Sequence, residues 1–187
     1  MEKPMPSHNY DQNLSIFEKL FSGGINPYVQ PTGMTGFKIV AGVPETGLNP
    51  YYVSPFPQRA KNSGDVTIFL AESPATASCE CFGNTSYDGA PTDTWLLQYR
   101  YSGLMLNIAT VPDDGFKNQF LQWSGAAKHQ FSQDFKYYAK QKGYVSQCDS
   151  IGWQSVSGEQ VGHPGLIIAW HSGDSGVFKC ESMEKIK

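Results

Sequence analysis

The chain has 187 residues, a formal charge of −3, 17% charged side chains, 13% aromatics, 19 glycines and 12 prolines. That length buries a core without disulfide staples, and the aromatic content excludes a disordered chain. The mild negative charge excludes a basic nucleic-acid binder, and no apolar run approaches the ~18 residues that read as a membrane span.

The opening MEKPMPSHNYDQN lacks the apolar centre of a secretory signal. Residues 1–35 are rich in Pro, Gly and Asn, with one amphipathic stretch at 14–21 (LSIFEKLF) ended by Gly23 and Gly24. It predicts a short helix on the edge of the domain. The chain therefore divides into an N-terminal extension, 1–35, and a main domain, 36–187. Residues 36–43 (GFKIVAGV) predict a strand that Pro44 stops. A long loop follows over 44–64, with Tyr51, Tyr52, Phe56 and Arg59 among its prolines and glycines. Loops beyond ~12–15 residues in compact domains are usually functional or disordered, and this composition is not that of a linker.

Residues 65–71 (DVTIFLA) predict a central strand. It runs straight into a helix with Ser73 as N-cap, Pro74 at the first helical position and Gly83 as its end. Glu80 then falls in the last turn, one turn beyond Thr76. A negative charge there opposes the helix macrodipole, so its placement has a cost and calls for a reason.

Residues 94–101 (TWLLQYRY) and 104–109 (LMLNIA) predict a pair of strands around Ser102 and Gly103. Residues 116–142 predict helix, with Phe120, Ala127, Phe131, Phe135 and Tyr138 on one face, Gly125 as a candidate break and Gly143 as the stop. Residues 150–165 are polar and glycine-rich, 166–170 (LIIAW) predict the strongest late strand, and 176–180 (GVFKC) a candidate edge strand. Strand-rich with few helices, this order predicts a single α+β domain.

Most familiar chemistry is missing. Cys79, Cys81, Cys148 and Cys180 form no spaced disulfide framework, and His8, His129, His163 and His171 are scattered singly. No closed four-ligand zinc pattern results, so no metal is expected and the cysteines read as free thiols of a reducing cytosol. No GxGxxG opening a helix, GxxxxGK[ST], HExxH or GxSxG occurs. Cys81 or Cys148 with His163 or His171 are candidate nucleophile–base pairs of a kind any chain this long contains by chance. Asp113 and Asp114, between Pro112 and Gly115, predict a solvated turn.

One ordered constellation stands out. Arg59 is followed by Ile68-Phe-Leu-Ala-Glu-Ser-Pro-Ala-Thr-Ala-Ser-Cys-Glu80, and much later by Gly152-Trp-Gln-Ser155-Val156 and the apolar strand ending at Ala169. This resembles the RES-domain family, bacterial NAD+-degrading toxins named for an arginine, a glutamate and a serine in that order. The resemblance covers roughly residues 36–171. It implies an ADP-ribosyltransferase-like fold, a twisted, split β-sheet flanked by helices, with Arg59, Glu80 and Ser155 as catalytic residues. It departs from the family at Lys38, where a first-strand arginine is usual. The substrate implied is NAD+, with no prosthetic group, and the partner implied is an antitoxin or immunity protein covering the active site. The expected location is the cytoplasm, or a target cell's cytoplasm after delivery by a specialised secretion system.

These residues also make chemical sense alone. Breaking the nicotinamide–ribose bond develops positive charge on the ribose, as in glycoside hydrolysis, and a carboxylate such as Glu80 stabilises it. Arg59 offers a planar fork to a pyrophosphate, which Lys38 matches only as a point charge. Ser155 is a donor for a phosphate or ribose oxygen, and Tyr51 or Tyr52 can stack on nicotinamide. If the reading holds, Arg59, Glu80 and Ser155 share one concavity. Two rivals use the same residues differently. A mono-ADP-ribosyltransferase would draw on Ser73, or on Ser155 and Ser157 with Glu159, and a sugar-binding module would use the Tyr and Trp side chains.

Overall fold

Helix ends in this protein follow from capping chemistry. The computed structural model describes residues 10–22, 29–32, 35–41, 67–101, 103–143, 148–171 and 178–187. α1 spans Tyr10–Leu20 and α2 spans Pro74–Phe82. The Ser73 hydroxyl accepts from the Thr76 amide, and Gly83, at φ 73°, ends α2 in the left-handed conformation that glycine tolerates best. The predicted 116–142 helix is two helices, α3 (Asp114–Gln122) and α4 (Gly125–Gln141), capped by Asp113 and Ser124. Asp113 is therefore a cap, also paired with Lys19 at 2.9 Å, where the sequence suggested only a solvated turn. α5 is a short helix, Val156–Gln160, capped by Ser155.

Among the described residues, eight strands form one sheet: β1 (Val29–Thr32), β2 (Thr35–Ala41), β3 (Thr67–Ala71), β4 (Thr94–Tyr101), β5 (Gly103–Asn107), β6 (Cys148–Gln154), β7 (Leu166–His171) and β8 (Phe178–Lys185). Their order is β1-β5-β6-β7-β3-β2-β4-β8. The β5–β6 pair is parallel and the other neighbours are antiparallel.

The pairing of β4 with β5 expected from the sequence does not form. β4 lies between β2 and β8, and β5 between β1 and β6. Val29 faces Leu106, Thr32 faces Gly103, Thr35 faces Arg100 and Ala41 faces Thr94, so a single register serves both segments. β1 with β2, and β5 with β4, are thus the two arms of one long antiparallel ribbon that crosses from one half of the sheet to the other. Ser102 and Gly103 have the chemistry of a hairpin turn, but the strands on either side of them, β4 and β5, do not pair with each other.

On the other side of the sheet order, β2 and β3 are in register at one pair among the described residues, Phe37 with Ala71. The sheet is split there. Five strands stand on one side and three on the other, giving the α+β, split-sheet architecture expected from the sequence.

α1, α3 and α4 supply the aromatic core. Phe17, Phe120, Phe131 and Phe135 are essentially inaccessible, and Phe17 packs on Phe131 and Tyr138 with ring centroids 4.8 and 5.2 Å apart. α1 is therefore a core helix, and Asn13 fastens it further by donating to buried Asp134 at 2.8 Å. β6 comes from the polar, glycine-rich stretch, yet Ser150, Ile151, Gly152 and Trp153 are all buried. Its glycine is required by packing, because a Cβ at Gly152 would overlap the Met105 sulfur. Among the described residues, no helix is long and apolar enough to cross a membrane.

Candidate active site

Two glycines allow close packing of α5 and the segment after it, one of them against α2. A Cβ on Gly165 would run into the Thr76 side chain of α2, and one on Gly158 would run into the carbonyl of His163. Without side chains at these positions the segments close up. Ser155 then donates its amide to the Gly165 carbonyl at 2.7 Å, and Glu72 donates its own to Leu166 at 3.0 Å. The α2 C-terminus and the α5 N-terminus consequently meet.

At that meeting point the Ser155 hydroxyl donates to Glu80 Oε1, joining residues 75 positions apart. Ser155 Oγ in turn accepts from the Gly158 amide at 2.9 Å. Ser155 is fully buried and Glu80 half-buried. A buried hydroxyl bound at both its proton and its lone pair is oriented, so the carboxylate it holds is oriented too.

Glu80 faces a cavity of about 260 Å³ that opens where β2 and β3 part. Phe37 and Lys38 of β2, Phe69 of β3, Trp153 of β6 and Ile167 of β7 line it with Glu80. The walls are apolar, with charge supplied by Glu80, Lys38 and Lys128. A mostly apolar concavity with a few convergent charges is the usual form of a small-molecule site. Lys38 is buried, so its charge acts inside the cleft, where screening by water is weak.

Cys81 stands on the same wall, open to solvent yet crowded by the concave surface. Desolvation raises its thiol pKa, the neighbouring Glu80 charge raises it further, and Lys38 opposes both. Cys79 is buried, and burial and Glu80 push its thiol up as well. A thiol shifted upward is poorly ionised at neutral pH, which argues against Cys81 as a nucleophile.

Two of the residues singled out in the sequence, Glu80 and Lys38, line the cavity, and Ser155 supports Glu80 from beneath it. Arg59, Tyr51 and Tyr52 lie outside the described residues. Ser73 shares a 2.8 Å hydrogen bond with Thr76 Oγ1 and caps α2, so its hydroxyl is engaged locally. Glu159 is exposed and borders a second cavity, also about 260 Å³, with Asp114, Lys117 and Gln154. Lys128 was missed, because a lone lysine on a helix reads as a solvated residue. Among the described residues, no group of three or more His, Cys, Asp or Glu side chains is placed to hold a metal ion.

No family model matches the chain, and no curated protein is similar to it in sequence. Its fold is similar to that of a chain from the crystal structure of the M. tuberculosis MbcT–MbcA toxin–antitoxin complex, with a TM-score of 0.58 and 9% sequence identity. The match covers 96% of this chain and 93% of that one, so the whole architecture is shared.

Proposed function

We propose that this chain breaks the nicotinamide–ribose bond of NAD+ in the cavity beside Glu80, and that it acts as a toxin by depleting NAD+. The observation that carries the reading is the Ser155–Glu80 hydrogen bond at the cavity wall. Those two residues are the glutamate and the serine of the RES-like order, and nothing local in the sequence requires them to touch.

In the proposed reaction the C–N bond between ribose and nicotinamide breaks, and its electron pair leaves with nicotinamide, neutralising the pyridinium. Positive charge develops on the ribose ring, and the Glu80 carboxylate stabilises it. Ser155 does not reach the substrate in this scheme. It is a positioning residue that fixes the carboxylate, so no reorganisation is needed when the charge appears. The acceptor bonds to the anomeric carbon and gives up a proton. Water as acceptor makes a glycohydrolase, with ADP-ribose as product, and phosphate makes a phosphorylase. Lys38 and Arg59 are the proposed phosphate-binding cations, with Tyr51 or Tyr52 against nicotinamide.

The toxin role is supported by the likeness to a chain of a toxin–antitoxin complex. By the same likeness we propose a cognate antitoxin or immunity protein that covers the cleft. The site of action is proposed to be the cytoplasm, of the producing cell or of a target cell.

The test is incubation of the purified protein with NAD+ and measurement of free nicotinamide. Wild type is expected to release it. Glu80→Gln, nearly isosteric but uncharged, should melt like wild type and lose at least ~10²-fold in rate. Transfer of the ADP-ribosyl group onto protein would reassign the chain as a transferase. Wild-type turnover in a folded Glu80→Gln variant would end the Glu80 assignment.

A further inference from the structure

Lys128 is nine-tenths buried, yet it is a lysine near the start of α4, where its charge meets the positive end of the helix dipole. Lysine is almost never buried without compensation. Neighbouring groups supply that compensation. Its Nζ donates to the Leu121 carbonyl at 3.1 Å, near the C-terminus of α3, and lies 5.6 and 5.5 Å from the ring centres of Phe120 and Trp153. Those contacts hold the ammonium at one place on the wall of the cavity that Glu80 also lines. Glu80 stands near a helix C-terminus and Lys128 near a helix N-terminus, so both charges oppose their helix dipoles and both face one concavity.

The ammonium also sits at a partition. Leu121 and Trp153, two of the residues it contacts, line both the first cavity and the second. Each cavity is about 260 Å³, below the ~300–1,000 Å³ of pockets that enclose a whole drug-sized ligand. A molecule with two halves joined by a diphosphate therefore fits the pair of cavities better than either one alone.

We propose that Lys128 is a substrate-binding residue whose ammonium grips the diphosphate of the dinucleotide where it crosses from the Glu80 cavity to the second one. This rests on the NAD+ reading for the identity of the substrate. The physical basis is a point charge held in a desolvated aromatic setting, where attraction for a phosphate is weakly screened. The rival role is structural, a strut joining α3 to α4 through Leu121.

The two roles separate by substrate. Nicotinamide riboside has the same scissile bond as NAD+ and no phosphate. In Lys128→Met, which keeps the apolar stem, the ratio of kcat/KM for NAD+ to that for nicotinamide riboside should fall about tenfold, the loss expected for one charge-assisted hydrogen bond. A strut would lower both constants together, and an unchanged ratio overturns the proposal. Lys128→Arg should recover most of the ratio, because the cation is retained.

A second measurement uses wild type alone, in case the methionine variant does not fold or the riboside is not turned over. The ¹⁵Nζ resonance of Lys128 is followed while ADP is added, with adenosine as the control. A saturable shift with ADP and none with adenosine supports the diphosphate site, and no shift with ADP overturns it. Nicotinamide release is not involved in that titration. A protein that binds ADP at Lys128 but leaves NAD+ intact would retain the anion site and lose the proposed reaction.

Discussion

Replacing Ser155 with alanine removes one oxygen that serves two purposes. Its proton goes to Glu80 and its lone pair accepts from Gly158, and Ser155 itself has no exposed surface. Water cannot replace either bond without opening the α2–α5 contact. A hydrogen bond to a charged group contributes about 1.5–3 kcal/mol, and an N-cap serine about 1 kcal/mol. The first amount is what holds the carboxylate in place. At about 1.4 kcal/mol per factor of ten, its loss should lower kcat for nicotinamide release roughly 10- to 100-fold. The cap appears in the melt, at ~2–4 °C for each kcal/mol in a domain of this size.

Ser155→Gly separates the two effects. Glycine is nearly as good an N-cap as serine, so this variant should regain part of the melting temperature and none of the rate. The assay is nicotinamide release under saturating NAD+, run beside thermal unfolding of both variants. Wild-type kcat in Ser155→Ala, or recovery of kcat in Ser155→Gly, would refute the idea that the serine orients Glu80.

Gly165→Ala should destabilise the fold by about 1–3 kcal/mol, because the new methyl overpacks fully buried, β-branched Thr76. It should also slow nicotinamide release by pushing α2 away from α5. Adding Thr76→Ala should restore part of both, and wild-type unfolding in the single variant would contradict the close-approach argument. Asp113 has its pKa held below the ordinary 3.8, first by the Phe116 amide and then by the Lys19 ammonium. A lowered carboxyl pKa stabilises the fold above the ordinary value, and that contribution disappears as pH falls through the folded-state value. Asp113→Asn keeps a capping oxygen without the charge, so the stability difference from wild type should be present at neutral pH and close below the ordinary carboxylate range. Denaturant unfolding across pH measures it, and a gap that does not change with pH would show that Asp113 acts only as a cap.

Where a structural decision depends on neighbours in the chain, the residues were readable. α2 is the clearest case: Ser73, Pro74 and Gly83 mark both ends from inside an eleven-residue window, and Glu80 in the last turn could be picked out as misplaced before any contact was known. β3 and β7 were similarly plain, because continuous apolar runs are what central strands need. Partners were not readable. Ser102 and Gly103 have turn chemistry, but β4 and β5 each pair with strands far away in sequence, and pairing energy comes from cross-strand contacts that no local window contains. β6 was hidden because two of its buried positions are Ser150 and Gly152, the latter required by the close approach of Met105 and not by hydrophobicity.

The same division runs through the candidate site. The Arg–Glu–Ser order was visible in the chain, but it could not say that Ser155 would hold Glu80 or that Lys38 would share a cavity with it. Lys128 left no local sign at all, since a lysine becomes a buried cation only when Phe120, Leu121 and Trp153 are brought around it. Caps, strand runs and misplaced charges belong to the sequence because their energies are paid within a turn or two of helix. Cavities and paired charges belong to the tertiary structure, because they exist only where the split between β2 and β3 brings distant segments to a common wall.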